Sequence, residues 1–225
     1  MFFKFTHVYQ FNVRLFVLLI PIILFSDHLA AKEQKLLILG DSLSAGYGIS
    51  QAEGWVSLLQ DMWKESPITV VNGSISGETS DGALARLPRL IEQHQPSHIY
   101  VELGGNDGLQ GHPIDKMVDN LSNIIELGQA SGATVILQSM QIPTNYGRRY
   151  TEMFTAAYQT LATQYQIALI PFFLQKIALD PDLMQRDGIH PNAKAQILIA
   201  KDMKNKLNDL ILTSSTDNNQ LNYTQ

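Results

Sequence analysis

A chain of 225 residues, 45% of them apolar, is long enough to fold as one α/β domain around a sizeable core. It contains no cysteine, which excludes a disulfide framework, a thiolate nucleophile and a cysteine-linked lipid anchor. With 16 basic against 21 acidic side chains, it carries no electrostatic footprint for nucleic acid or for an anionic membrane surface.

The chain opens with Lys4 and Arg14 around otherwise uncharged residues, then runs unbroken and apolar from Leu15 to Phe25 (LFVLLIPIILF). Ala30-Ala31 precedes the polar Lys32-Glu33-Gln34. A basic start, an apolar middle and small residues before a polar run describe a secretory signal over residues 1–31. The apolar stretch is short for a membrane span, and Pro21 interrupts it. The expectation is export to a bacterial periplasm or beyond, with no stable membrane insertion after cleavage. Removing residues 1–31 leaves 14 basic and 20 acidic side chains, a net charge of −6. A single domain is expected over 32–212. Residues 213–225 (TSSTDNNQLNYTQ) are polar and aperiodic, which predicts a disordered tail.

Within the domain, short apolar runs predict strands at Leu36–Leu39, Ile68–Val71, His98–Leu103, Thr134–Leu137 and Ala168–Pro171. Longer amphipathic segments predict helices between them. Glu53–Glu65 places Trp55, Leu58, Leu59 and Met62 at helical spacing, and Met117–Ala130 does the same with Leu121, Ile124, Ile125 and Leu127. Asp81–His94 is interrupted by Pro88, which predicts a kink or a break. Thr151–Tyr165 and Ala193–Leu210 complete the set. Five strands alternating with helices argue for a parallel sheet covered on both faces.

The chemistry-bearing residues fall at the ends of these strands, where open α/β sheets bind ligands. The first strand runs into Gly40-Asp41-Ser42-Leu43-Ser44, a serine in a glycine-rich turn. A serine hydroxyl is a weak nucleophile until a base removes its proton. The same serine could equally cap the following helix or cradle a phosphate at a helix N-terminus. The loop lacks the Gly-Lys-Ser/Thr ending of a P-loop. Asp187-Gly188-Ile189-His190-Pro191 stands before the last helix. At this spacing a carboxylate can take one ring nitrogen while the other faces Ser42, in the chain order Ser, Asp, His. A surface aspartate with a capping histidine is the plainer alternative. Metal binding by Asp187 and His190 is poorly supported, since no third ligand stands near them in the chain. Two further segments, Asn72 to Thr79 and Gly104-Gly105-Asn106-Asp107, follow strands. They offer backbone amides and an amide side chain to a developing oxyanion, or are ordinary Gly/Asn turns.

Taken together, GDSLS at 40–44, SISGET at 74–79, GGND at 104–107 and DGIHP at 187–191 resemble the four blocks of the SGNH (GDSL-type) hydrolase family, in order. LLILGDSLSAGYG, VELGGNDGL, NYGRRY and DGIHPNAKAQ are similar to its bacterial periplasmic thioesterase I / lysophospholipase / arylesterase group, from about Leu36 to Leu210. The resemblance implies a three-layer, flavodoxin-like fold whose five parallel strands lie in the order 2-1-3-4-5. It implies Ser42 as nucleophile, His190 as base and Asp187 as its orienting carboxylate. The oxyanion hole would comprise the N–H groups of Ser42 and Gly77 and the side chain of Asn106. The loop Gly108–Asp115 would meet the acyl chain, with Gly108, Leu109, His112 and Pro113 as substrate-binding residues. The implied activity is hydrolysis of fatty-acyl esters and thioesters by a monomer, without metal or organic cofactor. A carbohydrate O-acetylesterase on the same scaffold, a non-catalytic binding module and a phosphate- or nucleotide-binding protein are the competing readings.

Overall fold

The computed structural model of the protein describes residues 33–220, with side chains described through residue 212. The leader at 1–31, and the export reading built on it, lie outside the described residues. Five strands, β1 (Gln34–Gly40), β2 (Ile68–Asn72), β3 (His98–Glu102), β4 (Thr134–Gln138) and β5 (Ala168–Ile170), form one parallel sheet in the order β2-β1-β3-β4-β5. Every neighbouring pair is parallel. The central strands read as continuous apolar runs because both of their faces are covered. Leu36, Leu37, Ile38 and Leu39 have no solvent exposure, and all five residues of β3 are buried. Each such side chain stabilises the fold by roughly 1.5–3 kcal/mol relative to exposure.

The helices are α1 (Ser42–Ala45), α2 (Trp55–Met62), α3 (Ser80–His94), α4 (Gly105–Leu109), α5 (Ile114–Ala130), α6 (Arg148–Tyr165) and α7 (Ala193–Gln220). They fall into two groups: α2 packs on α7, while α5 packs on both α3 and α6. Pro88 does not end α3, which runs through it for 15 residues. One lost backbone bond is outweighed there by an apolar face on which Ala83 and Leu87 are wholly buried. The backbone of α7 continues helically to Gln220, through residues for which polarity alone predicts disorder. Propagating an existing helix gains one hydrogen bond per residue fixed, so a polar segment can extend a helix it would not start. Residues 221–225 lie outside the described residues.

The strand order reverses between β1 and β3, and it is at such a switch point that the loops leaving two adjacent strands diverge and open a crevice. The loop after β1 carries Ser42, that after β2 carries Gly77, and that after β3 carries Asn106. The long segment from β5 to α7 carries Asp187 and His190. Because the strands are parallel, all four segments leave from their C-terminal ends, at one end of the sheet.

Candidate active site

Ser42 is the first residue of α1, a helix of four residues closed by Gly46 in the left-handed conformation at φ +75°. The helix is capped by Asp41, whose Oδ1 accepts from the Leu43 N–H at 3.0 Å. Ser42 is therefore released from the capping role, and its hydroxyl lies 2.8 Å from His190 Nε2. His190 Nδ1 lies 2.7 Å from Asp187 Oδ2. With Nδ1 facing a carboxylate, the neutral ring carries its proton there and leaves Nε2 to accept from the serine. Three side chains separated by up to 148 positions form one hydrogen-bonded chain.

Asp187 is fixed from both sides. Its Oδ1 accepts from the backbone N–H groups of Ile189 (2.9 Å) and His190 (3.0 Å). Burial by itself would raise its pKa, but these bonds and the one from the His190 ring prevail, holding the carboxyl at about 2. Such a group is ionised throughout the neutral range.

The loop presenting His190 has little regular structure and is shaped by side chains. Asn192 Oδ1 accepts from the Lys194 and Ala195 N–H groups, capping α7, while its Nδ2 donates to the carbonyls of Asp182 (2.8 Å) and Met184 (3.3 Å). Gln185 Nε2 donates to the carbonyls of Tyr47 (2.7 Å) and Pro191 (3.1 Å), joining this loop to the one after α1. The ring of Tyr47 lies 4.4 Å from that of His190, tilted by 37°. Sequence reasoning missed Asn192, Gln185 and Tyr47. Asn192 alone carried a signal, an amide side chain just before a predicted helix.

Gly77 takes φ +80°, and its N–H donates to no acceptor among the described residues. The turn around it is braced by Arg86, which donates to Glu78 Oε2 (2.6 Å) and to the Gly73 carbonyl (2.5 Å). Asn106, on α4, donates through Nδ2 to Asp41 Oδ2 (3.1 Å) and to the Glu78 carbonyl (2.9 Å). Its neighbour Asp107 points away and is tied to Ser80 at the start of α3 through both carboxylate oxygens. Ser42, Gly77, Asn106 and His190 all line one cavity of about 600 Å³. Its remaining wall is largely apolar, including Leu109, Ile142, Phe172, Leu174 and Ala178.

The segment Gly108–Asp115, from the end of α4 into α5, divides in two. Leu109 lines the cavity, whereas Gly108, His112 and Pro113 do not. Gly108 is buried beneath Ile142 and Phe154, which a Cβ there would meet at 2.8 Å. Beyond it the chain turns at Gly111 (φ +69°), Pro113 stands immediately before α5, and His112 sits near Asp107. The carbonyls of Leu109 and His112 accept from Tyr146 and Tyr150. Of the other histidines, His98 begins β3, and its burial lowers its pKa to about 4. Among the described residues no three His, Asp or Glu side chains are grouped to hold a metal ion, and no helix is long and apolar enough to cross a membrane.

A serine–histidine–aspartate hydrogen-bonded chain at the switch point of a parallel sheet, opening on an apolar cavity, is an arrangement that ester hydrolysis can use. The chain belongs to the GDSL-like lipase/acylhydrolase family, which it matches over residues 38–196. It is 49% identical over 182 residues to the thioesterase 1/protease 1/lysophospholipase L1 of Escherichia coli (strain K12), covering 81% of this chain and 87% of that one. It is 46% identical to the arylesterase of Vibrio mimicus over 187 residues, 81% of this chain and 94% of the relative. Among solved structures, the psychrotrophic esterase EstA from Pseudoalteromonas sp., inhibited by monoethylphosphonate, superposes with a TM-score of 0.77 at 47% identity, over 79% of this chain and 98% of that one. The protein is an acyl-ester hydrolase of that family.

Proposed function

We propose that Ser42, His190 and Asp187 carry a two-step acyl transfer to water on esters and thioesters of fatty-acyl type. The observation that carries this reading is the hydrogen-bonded run from Ser42 Oγ through His190 to Asp187, opening into the apolar cavity. His190 Nε2 takes the Ser42 proton as the oxygen attacks the acyl carbon. The imidazolium so formed is stabilised by Asp187, already ionised. The carbonyl oxygen becomes an oxyanion facing the N–H of Ser42, the N–H of Gly77 and the Asn106 amide, each contributing on the order of 3 kcal/mol. His190 then gives its proton to the departing alcohol or thiol. A water molecule repeats the sequence on the acyl-enzyme and frees Ser42. No step calls on a metal or organic cofactor.

The cavity wall favours a hydrocarbon chain over a sugar. Leu109, Ile142, Phe172 and Leu174 offer no hydrogen bonds to hydroxyl groups, and each methylene buried against them gains about 0.8 kcal/mol. The same composition speaks against a carbohydrate O-acetylesterase, which would need polar partners for its substrate. The proposal includes export, which the basic, apolar and small-residue order of residues 1–31 supports and which would bring the enzyme to membrane-derived lipids and scavenged esters. The test is a substrate panel: p-nitrophenyl acetate and octanoate, an acyl-CoA, a lysophospholipid and an acetylated sugar. A kcat/KM for the octanoate at least about tenfold above the acetate is expected, since six added methylenes offer several kcal/mol of burial. Preference for the acetylated sugar over every long-chain ester would transfer the assignment to carbohydrate deacetylation. Absence of turnover on the whole panel would leave a binding module.

A further inference from the structure

The oxyanion-hole amide of Asn106 is already committed. A carboxamide nitrogen carries two hydrogens, and here one goes to Asp41 Oδ2 and the other to the Glu78 carbonyl. An oxyanion arriving in the cavity must take one of them. The two acceptors differ in kind. The Asp41 bond is the longer, 3.1 Å against 2.9 Å, but a bond to a carboxylate is charge-assisted and roughly twice as strong as one to a neutral carbonyl, so the bond to Glu78 is the one that yields. The bond to Asp41 stays and fixes the plane of the amide while its second hydrogen changes partner.

Asp41 is built to stay in place. Its Oδ1 caps α1 through the Leu43 N–H, and its own backbone carbonyl accepts from the Ala45 N–H at 2.9 Å. Its side chain thus joins the helix start that presents Ser42 to the amide facing it. Behind it stands Glu102, at the end of β3 and paired in register with Gly40. Glu102 Oε2 accepts from Ser44 Oγ (2.7 Å) and from the Asp41 N–H (3.3 Å). Gly40 leaves the room this requires, since a Cβ there would come within 2.7 Å of Glu102 Oε2.

Two carboxyls buried side by side cannot both ionise. The groups facing Asp41 are Glu102, Asp107 and His190, and no lysine or arginine is among them. Burial first, and then the neighbouring Asp41, push Glu102 well above the ordinary carboxylate range; burial raises Asp41 to about 6. Glu102 Oε1 accepts no hydrogen bond among the described residues, which suits a protonated carboxyl rather than a carboxylate. Glu102 is the neutral member and Asp41 the charged one.

We propose that Asp41 is a positioning residue of the oxyanion hole, holding Asn106 through one N–H so that the other transfers from the Glu78 carbonyl to the oxyanion, with Glu102 carrying the proton that leaves Asp41 its charge. This rests on the reading of Asn106 as an oxyanion donor. The experiment is steady-state hydrolysis of a p-nitrophenyl ester by the parent, Asp41→Asn, Asn106→Ala and the double variant. An asparagine at 41 whose Oδ1 still caps Leu43 turns an NH2 group toward the NH2 of Asn106, keeping the cap and losing the grip. Complete loss of an oxyanion donor costs about 10²- to 10³-fold in kcat, so Asp41→Asn is expected to lower kcat by about 10- to 100-fold with KM within about twofold. In the Asn106→Ala background the same substitution is expected to change kcat by less than about threefold, because residues acting as a unit are non-additive. Glu102→Gln, neutral like the protonated acid, is expected to lose less than Asp41→Asn does. Parental kcat in Asp41→Asn, a loss that multiplies through the double variant, or a larger loss in Glu102→Gln would each overturn the inference. Should Asp41→Asn fail to fold, Asp41→Ser, which keeps a capping oxygen without the charge, takes its place in the same comparison. Parental kcat in Asn106→Ala would sink the oxyanion assignment itself, a different failure with a different signature.

Discussion

Asn192 holds the histidine loop with one side chain, and its truncation is the most informative perturbation of the scaffold. In Asn192→Ala the helix α7 loses its cap at Lys194 and Ala195, and the carbonyls of Asp182 and Met184 lose their donor. A lost cap costs about 1 kcal/mol, and each lost hydrogen bond about 0.5–1.5 kcal/mol, the 3.3 Å one at the low end. The sum is roughly 2–3 kcal/mol. In a domain of this size each kcal/mol moves Tm by about 2–4 °C, so a fall of roughly 5–10 °C is expected in a calorimetric scan. Asn192→Ser retains a capping oxygen and loses the two donated bonds without setting a charge against the carbonyls, so it should fall about half as far. Because His190 lies two residues away, kcat should drop in both variants, and further in Asn192→Ala. A Tm within about 1 °C of the parent for Asn192→Ala, or equal losses in the two variants, would refute this division of roles.

Asp187→Asn preserves size but presents an NH2 group to His190 Nδ1, favouring the wrong tautomer. The corresponding change in an isolated triad costs about 10⁴ in kcat, and a loss of at least about 100-fold is expected on p-nitrophenyl butyrate, with KM little altered. The carboxyl of Asp187 titrates at about 2 in the folded chain against 3.8 when free, so its stabilising contribution is present above pH 4 and is lost as the pH falls toward 2. Acid unfolding of Asp187→Asn should therefore lack part of the parent's steepness between pH 4 and 2. Glu102 has the opposite sign. Its raised pKa means that folding keeps a proton which the unfolded chain releases, so stability is lost as the pH climbs above the ordinary glutamate value. Glu102→Gln removes that slope, and the Tm difference between variant and parent should grow in the variant's favour from pH 5 to pH 8.

The five strands were legible because buried parallel strands read as unbroken apolar runs, and their ends fall within two residues of the expected positions. The helices were legible from their apolar spacing, though α5 starts at Ile114 and α6 at Arg148, each three residues earlier than that spacing indicates. Residues of all four blocks line the one cavity. Sequence left open whether Ser42 caps a helix, because α1 is too short to show periodicity; only the placement of Asp41 on the Leu43 N–H decides it. The loop from β5 to α7 was illegible since its shape depends on long-range bonds from Gln185 and Asn192 rather than on local propensity. Glu102 passed as an ordinary strand residue, yet a carboxylate inside an otherwise apolar strand was itself a sign of a buried, partnered group. His112 and Pro113 stand outside the cavity lining, beyond a turn at Gly111 (φ +69°), a local dihedral that no spacing encodes.

Hydrolysis by this protein requires a hydroxyl activated by an imidazole 148 positions distant. Its most direct trial is incubation with a fluorophosphonate followed by peptide mapping, alongside turnover of a p-nitrophenyl ester by Ser42→Ala. One adduct on Ser42, with Ser42→Ala unlabelled and reduced in kcat by on the order of 10⁴-fold or more, is the predicted result. Labelling at another residue, or hydrolysis by Ser42→Ala near the parental rate, would contradict it.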